Sequence, residues 1–140
     1  MSNISIFAPM GALIAWTFLV LLLIPIKRFR AGFSGEITGE DFRFGESARV
    51  PGHVSIPNRN YMNLLELPML FYVLCLSLFV TGTVTALERD LAWLYVGLRV
   101  AHSVVHLTVN HIYTRLTIFA VSNLVLGVAW VFFFVEIFVR

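Results

Sequence analysis

Arg99, His102, Ser103 and His106 stand at i, i+3, i+4 and i+7 in an otherwise apolar stretch, so a helix places all four on one face. Arg59, Asn63 and Glu66, at i, i+4 and i+7, form a second such face. A charge within an apolar span costs about 2.5 to 3.5 kcal/mol on membrane-insertion scales, so these side chains mark a buried polar site. If the two faces oppose each other on antiparallel helices, Glu66 is expected to pair with Arg99, and Asn63 to be satisfied by hydrogen bonds. The result would be a polar, partly hydrated cavity. A bare ion pair that only fixes helix register is the competing reading. The two histidines also have the spacing of a metal pair, but their stretch holds no third His and no Glu. Hydrogen bonding is their expected role, no metal is assigned, and an ion or proton path through the pair is a third reading.

The elements that must carry these residues follow from composition. Of 140 residues, 59% are apolar and only 13% charged, against roughly 25% in soluble domains, which leaves too few charges to cover a globular surface. The mean hydropathy of +0.85 points the same way. A water-soluble monomer and a disordered chain are both excluded. The net charge of +2, without a long basic stripe, argues against a nucleic-acid partner. One cysteine, Cys75, allows no intrachain disulfide, and its apolar surroundings suit an inert thiol. Four apolar runs, 4–26, 61–86, 91–109 and 116–139, predict an all-α, four-helix membrane bundle in a single domain, 1–140. The first run alone makes a helix of about 34 Å, enough to cross a hydrocarbon core of about 30 Å. Basic residues follow it, with no small-residue cleavage site, so it reads as a retained span.

A long hydrophilic loop is expected over 27–60. Lys27, Arg28, Arg30, Arg43, Arg49 and Arg59 lie there, and Arg115 lies on the same side, in the turn before the fourth span. Only Arg89 and Arg140 fall on the other side, so the loop should be cytoplasmic and both termini outside.

With these residues in view, the chain resembles the family of membrane-associated proteins in eicosanoid and glutathione metabolism (MAPEG). Asn63-Leu-Leu-Glu66 is similar to the family's Asn-x-x-Glu on helix two, and Arg99-Val-Ala-His102-Ser103 to its Arg-x-x-His-Ser/Thr on helix three. Arg115 follows Arg99 by sixteen positions, where glutathione-using members carry a thiolate-stabilising arginine. The resemblance covers the full chain and is to a bacterial-type, microsomal-glutathione-transferase-like member. It implies a homotrimer in a bacterial inner membrane, with glutathione as co-substrate bound between protomers near the cytoplasmic face. Arg59, Asn63, Glu66, Arg99 and His102 would contact glutathione, and Arg28 matches a carboxylate-binding basic residue at the end of helix one. His106 stands where the family's enzymes usually carry tyrosine, and is taken as a further glutathione contact. Leu64 replaces a frequent aspartate, and Leu116 replaces the serine of the prostaglandin synthase branch, which points away from prostaglandin synthesis. The turn also lacks the prolines of several eukaryotic members.

The implied activity is that of a transferase or peroxidase. Glutathione thiolate, stabilised by Arg115 as the catalytic residue, attacks a lipophilic electrophile or reduces a lipid hydroperoxide drawn from the bilayer. The alternative within the same family is a non-catalytic, lipid-binding scaffold. The expected topology is directly testable. In a Cys75→Ser background, Ser34→Cys should react with an impermeant maleimide from the cytoplasmic side only; labelling from the outside alone would invert the orientation.

Overall fold

The computed structural model describes residues 3–139. A 3-10 turn, Asn3–Ile6, leads into α1, Phe7–Phe33; α2 is Gly52–Leu65, α3 is Pro68–Thr81, α4 is Ala86–Leu107 and α5 is Ile112–Val139. No β-strand occurs among the described residues. Helices α2 and α3 form one broken span. Pro68 has no N–H to continue α2, and its ring disfavours the helical register before it, so the chain breaks at Glu66 and restarts with proline in the first turn of α3. The bundle thus has four membrane-scale helices, and α4 packs most extensively on α5 while also touching α1 and α2.

Three segments are long and apolar enough to cross a membrane: Asn3–Phe33, Gly52–Thr81 and Ile112–Val139. The expected third span, α4, is not among them: it begins at Ala86, so that Glu88, Arg89 and Asp90 of the expected turn are helical, and these with Arg99, His102 and His106 lower its hydropathy. It is instead the sheltered helix. Its buried face changes character along its length, with Ala92, Tyr95 and Val96 in the first half and Arg99, His102, Ser103 and His106 in the second. The apolar half joins one continuous core with Leu13 and Val20 of α1, Phe71 and Leu78 of α3, and Leu126 and Phe133 of α5. Exposed Phe18, Leu22, Leu124 and Val131 present the outward apolar surface that lipid requires.

The helices run past the apolar stretches, so much of the expected 27–60 loop is helical. α1 continues to Phe33, where Gly35, at φ +77°, closes it: the Glu36 N–H reaches the Ala31 carbonyl and the Gly35 N–H that of Gly32. α2 already begins at Gly52, so the irregular connection is only 34–51. It is folded, with Ile37 and Val50 buried against Ala31 and Val54, and Phe42 packed on them.

Asp41 is the polar anchor of this connection. Its carboxylate accepts from the Thr38 N–H at 2.9 Å, the Thr38 hydroxyl at 3.1 Å and the Ser47 hydroxyl at 3.3 Å, and pairs with Arg49 at 3.0 Å. The Thr38 backbone donor, above all, holds its pKa below the ordinary 3.8. A carboxylate with a depressed folded pKa stabilises the fold while ionised and stops doing so as pH falls through that value. Segment 34–51 should therefore resist limited proteolysis at pH 7 and at pH 5 and open only below about pH 4. Asp41→Asn should be cut there at pH 7; a variant as resistant as wild type would contradict this anchoring.

Candidate functional site

The polar half of α4 faces α2, and two contacts set their register. Asn60 Nδ2 donates to Ser103 Oγ at 2.6 Å, and one turn along α2 an Arg99 Nη2 N–H donates to the backbone carbonyl of Asn63. As α2 advances from 60 to 63, α4 runs back from 103 to 99, as antiparallel helices require. Arg99 and Asn60 are completely buried. The Asn63 carbonyl lies in the last turn of α2, which Pro68 cuts off, so it is among the acceptors that a continuing helix would have consumed. The C-terminal end of a helix also carries partial negative charge.

This corrects the expected Glu66–Arg99 ion pair, which does not occur among the described residues. The break that ends α2 leaves Glu66 exposed, and a helix terminus takes the place of the carboxylate. From α5, the ring of Phe119 adds a second stabilising face, with the Arg99 Cζ 5.4 Å from its centroid. The His102 ring lies 5.7 Å from the same phenylalanine and 6.0 Å from His106.

Arg115 belongs to the first turn of α5 and not, as expected, to the preceding turn. Asn110, in the left-handed conformation at φ +50°, lies in the α4–α5 connection, and its Oδ1 accepts from Arg115 Nη1 at 2.6 Å. Asparagine tolerates this backbone better than most residues. The guanidinium thus borders a cavity of about 270 Å³ lined by Asn63, His102, Ile112, Arg115, Leu116 and Phe119. Two of its lining residues carry unpartnered buried polar atoms, Arg115 Nε and His102 Nδ1, and the buried Arg99 behind Asn63 and Phe119 carries two more, Nε and Nη1. Buried donors left in this state are suited to a polar ligand or to water.

Of the sequence-predicted residues, Asn63, His102 and Arg115 line this cavity, and Arg99 lies buried against Asn63 and Phe119. His106 is buried a turn beyond His102 without lining it, and Arg59 is exposed on α2. Arg28 lies elsewhere, in a cavity of about 720 Å³ at the end of α1, paired with Glu46 at 3.2 Å and 4.4 Å from the Phe42 centroid. Among the described residues no three His, Cys, Asp or Glu side chains converge as a metal site. Sequence reasoning missed Asn60, Phe119 and Asn110. Phe119 was signalled by its place four residues after Arg115, on the same helical face.

The sequence model of the MAPEG family matches residues 6–135. The chain belongs to the MAPEG family. No curated protein and no solved structure matches it. The match spans the whole bundle, so the polar half of α4, the broken α2–α3 span and the α5 arginine all lie within the MAPEG region.

The Asn60–Ser103 contact is the one fully buried side-chain bridge between α2 and α4 given by the described geometry, and it should be energetically coupled. In a double-mutant cycle of Asn60→Ala and Ser103→Ala, thermal unfolding in detergent should show a coupling of about 1 kcal/mol. Strict additivity would mean that the contact does not hold the two helices in register.

Proposed function

We propose that this MAPEG protein is a glutathione-dependent transferase or peroxidase of the membrane, with Arg115 stabilising the thiolate. One observation carries the reading. Arg115 stands on the N-terminal turn of a 28-residue helix and opens on the same cavity as Asn63 and His102. A free thiol of pKa about 8.5 is only a few per cent ionised at neutral pH, and thiols beside arginine or a helix N-terminus ionise more readily. Here guanidinium and helix dipole act together. Unpartnered Arg99, His102 and Arg115 nitrogens supply donors for the peptide's polar groups.

In the transferase reaction the thiol proton passes to water and the sulfur lone pair forms the C–S bond. The leaving group departs with its bonding pair. With a hydroperoxide, sulfur attacks oxygen and the O–O bond breaks, giving an alcohol and a sulfenic acid. A second glutathione then displaces water from the sulfenic acid to form the disulfide. The lipophilic partner enters from the bilayer past Ile112, Leu116 and Phe119, the apolar side of the cavity.

Arg59 and Glu66, both exposed on the α2 side, complete the clamp for carboxylate and ammonium. His106 supports His102 from the turn behind it. Arg28 faces a separate cavity of its own chain, so its part in binding glutathione belongs to a neighbouring protomer of a homotrimer. We place this assembly in a bacterial inner membrane with both termini outside and the glutathione face towards the cytoplasm.

Arg115→Leu should leave the fold intact, because the residue is only half-buried and lies at a helix end. The thiolate ultraviolet difference signal on adding glutathione should disappear at neutral pH. Turnover with a lipophilic electrophile should fall at least tenfold and recover partly as pH rises towards the free thiol pKa of about 8.5. Arg115→Lys should restore part of the loss. An unchanged thiolate signal and pH–rate profile in Arg115→Leu would refute the mechanism, and wild type without glutathione binding would favour the scaffold alternative.

A further inference from the structure

A second polar cavity, of about 260 Å³, lies at the end of α1, away from the Arg115 site, and its lining includes Lys27, Arg30, Ser34, Glu36 and His53. Lys27 and Arg30 are three residues apart on one face of α1, and neither has an ion pair among the described residues. His53 is the second residue of α2, whose first turn has no side-chain cap and carries the positive end of that helix's dipole.

One anion already sits in this cavity, supplied by the chain itself. Glu36 is brought back over the end of α1 by Gly35. Its Oε1 accepts from the Ser34 hydroxyl at 2.8 Å, and its Oε2 lies 3.0 Å from His53 Nε2. That carboxylate offsets only one of the two fixed cations, so the cavity remains positive even with His53 neutral. Its depth in the membrane is also fixed by sequence. Ile26 is the last residue of the apolar run and Lys27 the first charge, while Phe29 and Phe33 on the next turns are 67% and 90% exposed. Long basic side chains that directly follow an apolar run are favoured at the membrane interface, where the stem stays in apolar surroundings and the charge reaches the headgroups.

From this cavity we infer that the protein has an oxyanion site for a phosphate group, held by Lys27 and Arg30 with Ser34 and His53 beside them. Glu36 is the internal competitor of the bound phosphate. The shared chemistry is a tetrahedral phosphate oxyanion, which either an anionic phospholipid headgroup or free phosphate can supply. Within one chain the two sites are separate, since none of these residues lines the Arg115 cavity.

Two arms distinguish the sources. In the first, the full chain in phosphatidylcholine nanodiscs containing phosphatidylglycerol is released into the gas phase, and retained anionic lipid is counted by native mass spectrometry. In the second, the lipid-free protein in neutral detergent is melted against increasing inorganic phosphate. Lys27→Gln and Arg30→Gln should each weaken binding about five-fold, the scale of one basic residue at an anionic surface. Glu36→Gln should strengthen it. Arg43→Gln removes the same charge from an exposed pair with Glu40 outside the cavity, and should change nothing. A response in the lipid arm alone assigns the site to a headgroup, and one in the phosphate arm alone to the free ion. No response in either arm, or an equal loss in Arg43→Gln, would overturn the inference.

Discussion

A guanidinium that cannot lose its charge lies fully buried in the middle of a lipid-facing bundle, and the arrangement of four helices depends on how it is held. Inserting arginine at the centre of a span costs about 2.5 to 3.5 kcal/mol. A hydrogen bond from a charged group returns about 1.5 to 3 kcal/mol, and a desolvated cation–π contact up to about 2 kcal/mol. The Asn63 carbonyl and the Phe119 ring are the two contacts that offset this cost, while Arg99 Nε and Nη1 stay without a partner. Each demands something of a different helix. α2 must end where its carbonyls can meet Arg99, which Pro68 ensures, and α5 must bring Phe119 over the guanidinium while Arg115 lies one turn nearer the membrane surface.

The same constraint divides the bundle into two ends. Where Ala92, Tyr95 and Val96 face inward, packing is apolar and the remaining void is negligible, about 10 Å³. Where Arg99, His102 and Ser103 face inward, the helices are joined by hydrogen bonds and leave room for a polar guest. The apolar end supplies the stability that the polar end gives up. The proposed reaction, with one reactant from water and another from lipid, calls for a site at such a boundary.

The stripe on α4 was fully legible, because helical periodicity places Arg99, His102, Ser103 and His106 together whatever packs against them. Its partner was not. Glu66 looked like the direct partner as long as α2 was extended through it, but Pro68 stops the helix first, and the Asn63 carbonyl at the terminus takes the Arg99 hydrogen bond. Asn60 was hidden by hydropathy, which begins the span at Tyr61 although the helix starts nine positions earlier, at Gly52. Gly35 and Pro51 marked the true ends of the connection, so local turn chemistry was the better guide there than apolar run length. The family was legible in motif order and spacing, and the match over residues 6–135 bears that out.

Arg115 shows why position in a helix matters as much as residue type. A cation on the first turn opposes the helix dipole, and a stability-optimised sequence would carry Asp or Glu there. The chain instead uses Asn110, in a left-handed backbone conformation, to tie the guanidinium down at 2.6 Å. Two unfavourable local choices in succession are hard to explain by packing, since Arg115 is half-buried and borders a cavity. They make sense if the positive potential is itself the product of the arrangement. An anion entering beside Asn63 and His102 meets a fixed charge and a helix terminus of the same sign, already paid for in folding, and gains from both without reorganising either.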